Sequence, residues 1–197
     1  MEVLFLNSDK LETFVDGVLA IILTVIVLEL PQPETITFMG FWALKNSFIA
    51  YLTSFIVVLA NWYFFHIIFS IAKEIDGKVI GITGGLLFVI SLLPYFTLLL
   101  SNNFDNFNAQ LCYCVYFIVV ELTYDLLFNV LLNIEHNNEL KSVLNYKRTI
   151  IHLLFYVLGI IIGWMYCPEL IVLFVFVTVV TWFIHVYKSI SQINKNI

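Results

Sequence analysis

The stretch KLETFVDGVLAIILTVIVLEL, Lys10 to Leu30, decides the class of this chain. From Phe14 to Leu28 it is apolar or small at every position but Thr24 and one aspartate, Asp16. A helix needs about 20 such residues to cross the hydrocarbon core of a bilayer. Pro31 and Pro33 follow at once, and a proline has no N–H and clashes with the preceding turn, so the helix should end there. The same character runs through all 197 residues: 61% are hydrophobic, 12% are charged, and the mean hydropathy is +0.98. Soluble domains carry about a quarter charged residues, so this composition belongs to an integral membrane protein.

Six segments read as spans, at roughly 12–30, 41–72, 79–100, 108–133, 149–166 and 169–187. The expected fold is all-α, a polytopic membrane protein with six transmembrane helices forming one domain over residues 1–197. The first residues, MEVLFLNSDKLE, have no basic segment ahead of an apolar run, so a cleaved signal peptide is not expected. Lys10, Lys73, Lys78, Lys141, Lys147, Arg148, Lys188 and Lys195 fall on the side of the two termini, and only Lys45 on the other. Positive residues stay inside, so both termini are expected in the cytoplasm and the chain in the cell membrane. Glu34, Asp105 and Glu169, with Glu29 at the edge, give the outer side a mildly acidic character that would favour cations. The nine Lys and Arg are scattered rather than clustered, so nucleic acid is not an expected partner.

At 100° per residue, Phe14, Gly17, Val18, Ile21, Val25 and Leu28 share one stripe of the first span, with Thr24 at its margin. Asp16 lies about 140° from Ile21, near Ala20, Leu23 and Val27. A stripe of Ile, Val and Leu is what any lipid-facing helix carries, so the pattern alone assigns it no role. A carboxylate within a span costs about 2.5–3.5 kcal/mol on insertion scales and so demands a partner. Asn61, Trp62 and His66, at similar depth on the second span, are the expected donors, making Asp16 a clamp between helices.

Lys10-x-x-x-Phe14-Val15-Asp16, followed by GVLAIILTVIVLEL, resembles the Arg-x-x-x-Phe-Ser-Asp signature of the transmembrane protein 175 family of potassium channels. Further elements are similar: Ser54-Phe55 and Trp62-x-x-x-His66 in span two, and PYFT from Pro94 to Thr97 in span three. Lys10 and Val15 depart from the signature, replacing a forked guanidinium and a hydroxyl, so the polar network around Asp16 should be sparser. The resemblance implies a homotetramer around a central pore lined by the first helix of each subunit, without a Thr-Val-Gly-Tyr-Gly filter. It places the constriction on Ile21, Val25 and Leu28, assigns Thr24 to cation preference, and puts Lys10, Phe14, Asp16, Trp62 and His66 in the motif network. Permeant K+ and other monovalent cations are then the partners, with the lipid bilayer, and no cofactor or metal is implied. Selectivity for K+ over Na+ should be modest, because apolar rings supply no oxygens to replace a hydration shell.

An alternative rests on Glu121 and Asp125, four apart on one face of span four, as the ion site of a proton- or cation-coupled transporter. His66, His152 and His185 lie on three spans without ligand spacing, which speaks against metal. Gly84-Gly85 and Gly159-x-x-x-Gly163 read as close-packing positions. Hydrolase and nucleotide-binding motifs are missing, so the chain does not read as an enzyme.

Overall fold

The computed structural model describes residues 8–71, 77–135 and 146–193. Among these residues every regular element is a helix: α1 (Ser8–Leu28), α2 (Phe38–Ala43), α3 (Lys45–Ile71), α4 (Gly77–Ser91), α5 (Leu93–Asn102), α6 (Phe107–Glu135), α7 (Tyr146–Met165) and α8 (Leu170–Ile193). Five helical stretches are long and apolar enough to cross a membrane: Ser8–Leu28, Lys45–His66, Gly77–Asn102, Phe107–Leu132 and Lys147–Met165. The apolar part of α8, Leu170–His185, is shorter. Lys73, Lys141 and Lys195, three of the residues that set the expected orientation, lie outside the described residues.

Two expected spans are broken, each for a local reason. The segment 41–72 divides at Leu44, whose N–H turns back to the Phe41 and Trp42 carbonyls and ends the short α2. Thr37 caps that helix by accepting from the Gly40 N–H. The segment 79–100 divides at Leu92, because Pro94 offers no N–H to the turn before it. Leu92 N–H bonds to Val89 O instead, and α4 and α5 continue as one kinked crossing.

Lipid is as apolar as leucine, so a membrane bundle is held by close packing and by hydrogen bonds between helices. Phe64 of α3 meets Tyr124 and Phe128 of α6 edge-on, with ring centroids at 4.4 and 5.0 Å. Between α7 and α8 the close approach depends on glycine. A Cβ on Gly159 would stand 2.7 Å from Phe174 Cβ, and one on Gly163 only 2.4 Å from Ile171 Cγ1. Gly84 and Gly85 differ from that expectation: a Cβ at either would meet nothing within 4 Å.

Hydroxyls supply the polar ties. Ser54 of α3 bonds to Thr97 of α5 at 2.7 Å and to Tyr113 of α6 at 2.9 Å, all three buried. Ser54 and Thr97 come from two separate elements of the family resemblance, and the fold brings them into one contact. α1 lies against α3, α4 and α5, so this knot sits in the wall that supports it.

Candidate pore-lining face of the first helix

α1 is divided lengthwise. Val15, Leu19, Ile22 and Ile26 recur at intervals of three and four and are buried against the bundle. On the other side Phe14, Ile21 and Leu28 are exposed, Ile21 by 64% and Leu28 by 81%. Gly17 and Thr24 are exposed there too, while Val18 and Val25 are half-buried at its flank. Ile21, Val25 and Glu29 line an open groove of about 480 Å³, closed on its far side by Ser91, Pro94 and Tyr95. The Thr24 hydroxyl donates to the Ile21 carbonyl at 2.7 Å, which ties it to its own helix. Its oxygen can still accept a hydrogen bond.

The expected clamp around Asp16 is not formed. Asp16 is half-buried between the two faces of α1. Its proposed partners are engaged elsewhere. Nδ1 of His66 lies 2.8 Å from Oε1 of Glu12, and the imidazole stacks on Trp62 with centroids 6.0 Å apart. Asn61 is fully buried, donates to the Val57 carbonyl at 2.6 Å, and accepts from the Tyr124 hydroxyl. The reason is depth. α1 begins on the side where α3 ends, so His66, four residues beyond Trp62, meets Glu12, one turn before Asp16. Glu12 was the residue to find, and its i−4 relation to Asp16 was the available signal. Lys10 is exposed at the mouth of α1.

Glu121 and Asp125 do not form an open carboxylate pair. Oε1 of Glu121 is 2.7 Å from Nδ1 of His152 in α7, and Nε2 of that ring is 3.3 Å from the Thr181 hydroxyl in α8. Asp125 faces Arg148, with Oδ1 3.7 Å from Nη2. Glu121, Asp125, Arg148 and His152 are all buried between α6, α7 and α8. Arg148, expected as a basic residue of the cytoplasmic side, is a helix-to-helix tie. Of the acidic residues expected on the outer side, Asp105 and Glu169 sit together beside Lys45, away from the Ile21 face, while Glu29 lines the groove beside Ile21.

The model of the family described as endosomal/lysosomal potassium channel TMEM175 matches residues 10–94, which hold most of α1, Ser54 and the Trp62–His66 stack, and stop at Pro94. A curated protein of Chryseobacterium sp. (strain P1-3), named a potassium channel, is 33% identical over 192 residues, covering 95% of this chain and all of the relative. The chain belongs to the TMEM175 family of potassium channels. A second potassium channel, from Chamaesiphon minutus (strain ATCC 27169 / PCC 6605), is 33% identical over 116 residues, or 56% of this chain and 57% of that protein. The crystal structure of a lysosomal potassium-selective channel TMEM175 homolog from the same species superposes with a TM-score of 0.75 at 25% identity, over 89% of this chain and 95% of that one. TMEM175 membership makes this chain a membrane channel and not an enzyme.

Proposed function

We propose that this TMEM175-family chain conducts K+, and other monovalent cations less well, through a pore formed on the axis of a homotetramer. One helix face cannot enclose a conduit, so several copies of α1 must converge. The observation that supports this reading is the division of α1. Its buried face docks it to its own bundle, while Ile21 and Leu28 remain uncovered on the opposite side. In the assembly Ile21, Val25 and Leu28 form successive apolar rings one and two turns apart. Such rings expel water when narrow and rewet on slight widening, which makes them a gate without a filter loop. K+ sheds its hydration shell more cheaply than Na+, and the Thr24 oxygen lies beside the ring, so K+ is preferred modestly. At about 1.5 Å per residue, the 24 residues of α8 suffice for a sixth crossing. Both termini then face the cytoplasm, with the protein in the cell membrane.

The Glu121–His152 and Asp125–Arg148 contacts leave the transporter reading without a free ion-binding pair. Potassium flux into liposomes tests the proposal. Ile21→Asn should wet the constriction and raise flux, and Thr24→Ala should lower the K+ over Na+ preference. Flux unchanged by Ile21→Asn would overturn the assignment of the constriction.

A further inference from the structure

At the end of the bundle away from the termini, a groove of about 520 Å³ opens between the start of α3, the turn before α6 and the start of α8. Its rim carries Lys45, Asp105 and Glu169, and its walls include Ile49, Leu170 and Leu173. Below the rim, Ile49 and Leu52 on α3 and Leu173 and Val177 on α8 are exposed and continue an apolar surface along both helices. Trp42, whose ring lies 5.8 Å from the Lys45 ammonium, and Trp164 and Tyr166 are exposed at the same end. Tryptophan and tyrosine collect at the headgroup level of a bilayer, which sets the depth of the rim.

The rim is unusual in its charges. Asp105 and Glu169 line the same groove beside Lys45, and the Cys167 thiol donates to Glu169 Oε2 at 3.0 Å. The neighbouring Glu169 holds the Asp105 carboxyl above the usual carboxylate range, opposed by Lys45. The thiol of Cys167, then Asp105, hold Glu169 below it. Two carboxyls lining one groove favour a cation between them.

We propose that this groove seats a phospholipid carrying a primary ammonium, phosphatidylethanolamine. Its ammonium lies between Asp105 and Glu169. Its phosphate meets Lys45, and an acyl chain lies along Ile49, Leu173 and Val177. An ammonium offers N–H donors to both carboxylates in charge-assisted bonds. The quaternary ammonium of phosphatidylcholine has no N–H to give, and phosphatidylglycerol brings no cation, so the rim distinguishes the three by chemistry. None of these residues lies on α1, and the inference does not depend on the pore.

The test uses the full chain purified in detergent, with binding of the three lipids, matched in acyl chains, followed by native mass spectrometry and by the shift in melting temperature. Phosphatidylethanolamine should bind about tenfold more tightly than phosphatidylcholine, the difference expected of one added charge-assisted bond. The double variant Asp105→Asn, Glu169→Gln should abolish that difference, and Lys45→Ala should weaken both lipids alike. Equal binding of phosphatidylethanolamine and phosphatidylcholine to the unaltered chain would overturn the proposal, whatever the variants do. So would a disulfide formed between two copies carrying Leu173→Cys, since the groove would then be covered by a second chain.

Discussion

Two regions of this molecule treat their helix surfaces in opposite ways. Where α6, α7 and α8 meet, carboxylates, an imidazole and a guanidinium are turned inward and matched to one another. Along α1 the inward face is purely aliphatic, and large apolar side chains stand on the outside. The first region is finished within one chain. The second is the face that the proposed function assigns to contact between copies. The contrast also separates two kinds of carboxylate. Glu121 and Asp125 belong to the scaffold, whereas Asp16 stands at the border between the docked and uncovered faces of α1.

This contrast can be broken by substitution. The largest effect is expected in the scaffold. Arg148→Met should cost about 3–5 kcal/mol of stability, because Asp125 would remain buried without its partner. Thermal unfolding in detergent measures it, and a change below about 1 kcal/mol would show that the pair bears little of the packing. A second experiment places one kind of change on both faces of α1. Leu19→Ala, on the buried face, should cost about 2–5 kcal/mol through the cavity it leaves. Ile21→Ala, on the exposed face, should cost under about 0.5 kcal/mol in the dissociated subunit. Equal losses would erase the division of the helix. The smallest effect is expected where the start of α1 meets the end of α3. Glu12→Gln should cost at most about 1 kcal/mol, since the bond to His66 is open to water.

Much of this was legible beforehand because membrane spans announce themselves by length and hydropathy. The α1 wheel separated Ile21, Val25 and Leu28 from Asp16, and Val15, Leu19, Ile22 and Ile26 then proved to be its docked face. The partners of polar groups were harder to read. α3 is apolar on every side, so no periodicity says which of Asn61, Trp62 and His66 points at which neighbour. Asn61 turned to Tyr124 and His66 to Glu12, both set by relative helix depth, which spacing within one helix does not encode. The Ser54–Thr97–Tyr113 knot joins residues 43 and 59 apart in sequence. Its two ends on α3 and α5 were visible as family elements, but nothing in either segment marked them as a pair. The breaks at Leu44 and Leu92 fell inside runs that hydropathy joins, although Pro94 carried a local signal for the second.

Thiol accessibility tests the central claim most directly. With Cys112, Cys114 and Cys167 replaced by alanine, Ile21→Cys and Leu28→Cys are introduced separately, and K+ flux into liposomes is recorded before and after a water-soluble, membrane-impermeant thiol reagent. The account predicts that both cysteines react and that flux through each modified channel falls sharply. Cysteines that stay unreactive toward the aqueous reagent, yet are quenched by a lipid-borne probe while flux continues, would place this face of α1 against lipid and contradict it.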